Sequence, residues 1–135
     1  MEAFFIEATE FTPRIAMNPD NKLFEISGVS RPENVSAFYT QVIEWLKGFK
    51  TLELDNLNSS YREGPYRIIF RLSYFNSSSA KMILQLLETI KEASDNGVEM
   101  NIEWYYEEGD EQVLEDGEDL SETIELPFRF IEIVD

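Results

Sequence analysis

Tyr74-Phe75-Asn76-Ser77-Ser78-Ser79-Ala80-Lys81 is the stretch on which the fold turns. On its N-terminal side the chain alternates: Ile68, Phe70, Leu72 and Tyr74 share one face and Arg67, Ile69, Arg71 and Ser73 the other, as in a strand. On its C-terminal side Met82, Ile83, Leu86, Leu87, Ile90 and Ala93 recur at helical spacing, and Asn96-Gly97 supplies a stop. Asn76 to Ser79 therefore sits at a helix N-terminus, where Asn and Ser are the preferred caps. Free N–H groups and the positive end of the helix dipole also make that position hospitable to negative charge, including a phosphate carried by the chain itself. A cap needs one such side chain. Three serines after the asparagine exceed that need, and a hydroxyl here is a candidate switch as well as a cap.

Working outward, Val98 to Tyr106 alternates most clearly, with Val98, Met100, Ile102, Trp104 and Tyr106 on one face. Strand, helix and strand from Arg67 to Tyr106 make a crossover unit, so the two strands should be parallel and the connection right-handed. Leu126 to Val134 reads as a last strand, Phe128 and Phe130 facing one way and Ile131 and Ile133 the other. Upstream, Phe4 to Ile6 and Thr12 to Met17 read as extended pieces, and the turn Asn18-Pro19-Asp20-Asn21 joins the second to Lys22–Ser27 as a hairpin, with Gly28 releasing the chain. A helix follows with Val35, Phe38, Tyr39, Val42, Leu46 and Phe49 on one stripe; Ser30, Pro32 or Asn34 would serve at its start, and Gly48 lies near its end. From Thr51 to Gly64 the pattern weakens, and Asn56-Leu57-Asn58-Ser59-Ser60 reads as a loop or hairpin tip. The expected fold class is α/β: one layer of helices on a single mixed sheet, as one domain over residues 1–135.

Eleven basic and 27 acidic side chains leave a formal charge of −16. Such a balance argues against nucleic acid and anionic membrane surfaces as partners and would draw a basic protein. Neither cysteine nor histidine is present. Disulfides, thiol catalysis, Ser-His triads and the usual transition-metal ligands are thereby excluded. Met1 to Glu7 lacks the basic region of a secretory signal and no run approaches bilayer length, so the expectation is cytoplasmic residence. Glu107 to Glu122 is a run of acids with no base in it. As a calcium loop it fails, because aligning Asp116-Gly117 with the glycine step puts Gln112 and Leu114 at ligand positions and Thr123 where the bidentate Glu belongs. A solvated helix or loop is the reading, with no metal and no cofactor.

The chain resembles the SiaC family of bacterial regulatory phosphoproteins over nearly its whole length. The resemblance rests on Thr12-Pro13-Arg14-Ile15, on Arg31-Pro32-Glu33-Asn34, on Tyr74-Phe75-Asn76-Ser77-Ser78-Ser79, and on Trp104-Tyr105-Tyr106 followed by Asp110-Glu111 and Gly117-Glu118. That family is similar to the anti-sigma-factor antagonists of the STAS type, whose strand-to-helix junction carries a phosphorylated hydroxyl. The resemblance implies a non-enzymatic phosphoprotein modified at Ser77 by a dedicated Ser/Thr kinase and restored by a PP2C-type phosphatase. In its unmodified form it would bind and activate an output protein such as a diguanylate cyclase, within c-di-GMP signalling of the kind tied to biofilm formation. Partner contacts are then expected at Tyr74, Asn76, Ser78, Ser79 and Lys81, and at Arg31, Glu33 and Asn34. Two positions depart from the family pattern: serine stands at 77 in place of threonine, and arginine at 31 where tyrosine is common.

Two other readings stand beside this one. Lys81 lies four residues after Ser77 and invites a Ser-Lys nucleophile, although no oxyanion-hole motif or phosphate-cradling glycine loop accompanies it. A plain acidic interaction module without phosphorylation is the other. Trp45, Trp104, Tyr105 and Tyr106 fall on strand or helix periodicity and read as core or core-edge aromatics, and Met82 and Met100 as core filling. Arg67 and Arg71 are odd on a central strand, and the sequence leaves open whether they pair with acids or line an edge.

Overall fold

The computed structural model describes residues 1–55 and 65–134. Its alternating segments form one six-stranded sheet whose spatial order is the order of the chain. The strands β1 (Phe4–Ile6), β2 (Arg14–Asn18) and β3 (Leu23–Ser30) make an antiparallel meander, and the expected hairpin closes with Asn18 opposite Leu23. Beyond it β4 (Tyr66–Phe75), β5 (Met100–Glu107) and β6 (Phe128–Ile133) are each parallel to the strand before. Parallel neighbours need crossovers, and these are the helices α1 (Val35–Asp55), α2 (Ser77–Asp95) and α3 (Glu111–Ile124). Each crossover moves one strand further in the same direction. With a constant hand, all three helices then lie on one side of the sheet, where α2 packs between α1 and α3.

The core fills the space between that helical layer and alternate strand residues. Tyr66, Ile68, Phe70 and Leu72 of β4 and Met100, Ile102 and Trp104 of β5 are buried against Ile83, Leu86, Leu87 and Ile90 of α2. Burying one such large apolar side chain is worth about 1.5–3 kcal/mol, so the amphipathic stripes rather than intrinsic propensity hold the helices in place. Phe24 contacts the rings of Trp45, Phe49 and Tyr66 on one side of the core, and Trp104 those of Phe70, Phe75 and Phe128 on the other.

Three expectations are refined, and a fourth falls outside the described residues. Gly28 does not end its strand; β3 continues through it at φ +112° to Ser30, a backbone state that glycine adopts without steric cost. α1 begins after Asn34, whose Oδ1 accepts from the Ala37 N–H at 3.0 Å, and runs seven residues past Gly48 to Asp55. The loop expected at Asn56 to Ser60 lies outside the described residues. Tyr74 was expected on the buried face with Leu72 and is instead 49% exposed. The cause is a bulge: Leu72 stands opposite Gly28 but Tyr74 opposite Val29, so Ser73 is an extra residue. One added residue flips everything after it, turning Tyr74 out and Phe75 in against Trp104.

The face of the sheet away from the helices explains the arginines. Arg67 grips the Glu103 carboxylate with Nε and Nη2 at 2.7 and 2.9 Å, and the Tyr105 hydroxyl donates to the same carboxylate. That grip holds the Glu103 carboxyl below the usual carboxylate range despite its burial. Arg14 pairs similarly with Glu25 at 2.7 Å.

The acidic run forms a surface helix. Asp110 caps α3 by accepting from the Val113 N–H at 3.1 Å, and α3 docks by its backbone: Trp104 Nε1 donates to the Val113 carbonyl at 2.9 Å. A Cβ on Gly117 would lie 2.4 Å from that indole nitrogen, so only glycine allows the approach. Gly117→Ala should therefore destabilise the protein by about 1–3 kcal/mol through overpacking, against the roughly 1 kcal/mol that alanine gains in an ordinary helix interior. Urea denaturation measures it; an alanine variant as stable as wild type would mean that α3 is not seated on the indole.

Candidate functional site

The junction between β4 and α2 is built by backbone chemistry first. Asn76 has extended dihedrals, φ −89° and ψ 175°, and its Oδ1 accepts from the Ser79 N–H at 2.9 Å, which makes it the N-cap of α2. Its own N–H donates to the Ser30 carbonyl at 3.2 Å, tying the cap to the end of β3. Ser77 and Ser78 are then the first two helical residues, and both are exposed to solvent. The Ser77 hydroxyl thus stands at the positive end of a 19-residue helix.

Ser79 departs from expectation. The sequence places it on a partner surface, but it is fully buried and cannot meet a partner in this fold. Its hydroxyl donates to the Ser30 carbonyl at 3.0 Å and accepts from the Ser30 hydroxyl at 2.9 Å, and Ser30 in turn is bonded to the Tyr39 hydroxyl. Each hydroxyl has one proton, which settles the direction. Tyr39 donates to Ser30 Oγ, Ser30 to Ser79 Oγ, and Ser79 to the Ser30 carbonyl. Burial pushes the Tyr39 hydroxyl up to about 12, with hydrogen bonds to Ser30 and Ser79 pulling the other way, so the network is neutral and intact at ordinary pH. It joins β3, α1 and the first turn of α2 beneath Ser77.

Beside Ser77 runs an open groove of about 530 Å³ between the start of α2 and the flank of α3. Tyr74, Asn76, Ser77 and Ala80 form one wall, and Gln112, Asp116, Asp119 and Leu120 the other. The α3 wall and the hydroxyl network were not anticipated from sequence. Ser30 is a serine at a helix-facing strand position, and Gly117 marks a close approach within a helical acidic run; both were available signals.

The remaining anticipated residues are dispersed. Lys81 is exposed and does not line the groove, so no Ser77–Lys81 catalytic pair is assembled there. Arg31 is exposed, with its guanidinium 5.1 Å from the centre of the Phe11 ring and its N–H bonded to the Phe11 carbonyl at 2.7 Å. Glu33 and Asn34 are exposed at the start of α1, with Asn34 serving as its cap.

Comparison with known proteins bears on this geometry. The model of the SiaC family regulatory phosphoprotein matches residues 6–133. An uncharacterized protein of Pseudomonas aeruginosa strain UCBPP-PA14 is 30% identical over 128 residues, covering 95% of this chain and 94% of its own. The crystal structure of apo-SiaC from Pseudomonas aeruginosa superposes with a TM-score of 0.79 at 27% identity, covering 99% of this chain and all of that one. The structure of the diguanylate cyclase SiaD in complex with its activator SiaC, also from Pseudomonas aeruginosa, contains a chain matching at TM-score 0.81 and 28% identity, covering 96% of this chain and 99% of that one.

The Tyr39 network makes stability depend on alkaline pH in a defined direction. Because the folded hydroxyl ionises above the ordinary value of 10.0, its contribution is complete below pH 10 and is lost as pH rises through about 12. Tyr39→Phe should cost about 1 kcal/mol at neutral pH and should remove roughly 2–3 kcal/mol of the stability loss seen between pH 10 and 12. Urea denaturation of both proteins across that range is the check. Parallel curves would show that the tyrosine does not ionise as described.

Proposed function

The chain belongs to the SiaC family of regulatory phosphoproteins, and we propose that it works as a non-enzymatic, phosphorylation-controlled activator of a diguanylate cyclase. A Ser/Thr kinase adds the phosphate at Ser77 and a PP2C-type phosphatase removes it, with serine taking the place of the family's threonine. The observation that carries the reading is the solvent-facing Ser77 hydroxyl on the first turn of α2, capped by Asn76 and open to a modifying enzyme. Pseudomonas aeruginosa SiaC, similar along its whole length, is the activator of the cyclase SiaD, and that role is the one carried over.

The physics of the switch follows from the surroundings. Phosphorylation adds about −1.5 to −2 charges and three acceptor oxygens. At a helix N-terminus this charge is tolerated, and the buried Ser30, Tyr39 and Ser79 hydroxyls anchor the helix start from below. The fold therefore persists while the surface changes. Asp116 and Asp119 line the same groove, so the phosphate meets acids opposite and stays out toward solvent, where an incoming partner has to displace it. Tyr74, turned outward by the Ser73 bulge, Asn76 and Ser78 flank the hydroxyl and form the contact rim, with Lys81 outside the groove one turn along α2 and Arg31, Glu33 and Asn34 at the start of α1 as a second patch.

The test uses protein carrying phosphoserine at position 77 by co-translational incorporation, beside the unmodified chain and Ser77→Ala. Unmodified and alanine forms should stimulate the cyclase of the source organism; the phosphorylated form should fail, and treatment with a PP2C-type phosphatase should restore it. All three should melt within a few degrees of one another. Equal stimulation by phosphorylated and unmodified protein would leave an acidic interaction module without a switch.

A further inference from the structure

With all three helices on one side, the other face of the sheet is bare among the described residues. Parallel strands are ordinarily covered on both faces, and β3 to β6 run parallel. Nor is the bare face furnished as a solvated one. Ile69, Tyr105 and Ile131 stand half-buried along it, interleaved with Arg14, Arg67, Arg71 and Arg129. No lysine and no aspartate falls on its strand positions, and its carboxylates are Glu25, Glu103 and Glu107. Arginine and tyrosine among aliphatics, with lysine and aspartate missing, are features of protein interfaces, set here beside three glutamates and the polar Ser27 and Asn101.

Charge identifies the occupant. Four guanidiniums against three carboxylates leave this face slightly positive on a chain whose total is −16. Arg14 and Arg67 are engaged by Glu25 and Glu103, whereas Arg71 and Arg129 make no direct ion pair among the described residues, Arg129 standing opposite Glu103 and acting on its carboxyl through space. A planar guanidinium on a rigid strand is suited to holding a carboxylate through two parallel hydrogen bonds. We propose that the bare sheet face seats an acidic segment of the cyclase partner, whose carboxylates engage Arg71 and Arg129 while its apolar side chains cover Ile69, Tyr105 and Ile131. The inference rests on the cyclase reading above. Among the described residues guanidiniums outnumber carboxylates on this face, which gives such a segment a seat and sets its orientation. β4 also leads from Arg71 to Ser73 and Tyr74 at the rim beside Ser77, so a phosphate there adds repulsion against the same partner.

The experiment titrates the unphosphorylated chain into the source organism's diguanylate cyclase by calorimetry. Wild type is compared with Arg71→Glu/Arg129→Glu and with Lys47→Glu/Lys91→Glu, which changes net charge equally on the helical side. The arginine reversal should weaken binding at least tenfold and the lysine reversal much less. Should circular dichroism show the arginine reversal misfolded, Arg71→Gln/Arg129→Gln takes its place under the same criterion. Equal binding by wild type and arginine variant overturns the inference and leaves the cyclase reading intact; equal losses in both reversals reduce it to a net-charge effect and overturn it as well. A wild-type dimer that the arginine reversal dissolves assigns the face to a second copy, against the proposal. No binding by wild type removes the cyclase reading, and the inference with it.

Discussion

The chain of three buried hydroxyls, Tyr39 to Ser30 to Ser79, is the contact on which the arrangement of the switch region depends. Polar groups are expensive to bury unless every donor and acceptor is matched, and here the matching is complete: no buried side-chain polar atom among the described residues lacks a partner. A network satisfied in only one geometry selects that geometry. It fixes the first turn of α2 against the end of β3 and the second turn of α1, and so determines where the exposed serine stands. Apolar packing alone, being indifferent to direction, would let a helix terminus slide by part of a turn.

A second constraint acts from the other side of the groove. The indole of Trp104 is wedged among Phe70, Phe75 and Phe128 and reaches up to a backbone carbonyl of α3, and the helix can come that close because residue 117 has no side chain. The acids of α3 are therefore held at a set distance from the sheet and from the start of α2. Charge on this molecule is segregated by architecture: carboxylates crowd the helical layer, and guanidiniums are concentrated on the strands that the helices leave uncovered.

Most of the scaffold was legible in the sequence because period-two and helical spacing are local and strong. The hairpin at Asn18, the crossover from Arg67 to Tyr106, the cap at Asn76 and the alternation of Phe128 and Phe130 against Ile131 and Ile133 all appear as read. What escaped were effects of register and of contact between distant segments. The extra residue at Ser73 is invisible to alternation until the partner strand is known, so Tyr74 was put on the wrong face. Ser79 looked like one more exposed hydroxyl because its partner lies 49 positions upstream. Arg67 looked misplaced on a central strand because the carboxylate that holds it, Glu103, lies 36 positions downstream on the neighbouring strand. At the site, Ser77 and Asn76 were legible from cap chemistry, whereas the α3 wall of the groove depends on tertiary docking.

The sheet grows in chain order, each strand laid beside its predecessor. During synthesis on the ribosome, every segment emerges to find its neighbour already present, and the closures are between adjacent elements rather than between the ends of the chain. The nascent polypeptide can thus consolidate from its first hairpin outward. Completion waits on the last two elements, because until α3 and β6 arrive the Trp104 side of the core lies open to water, a window in which a stalled or truncated product offers its aromatic cluster to chaperones.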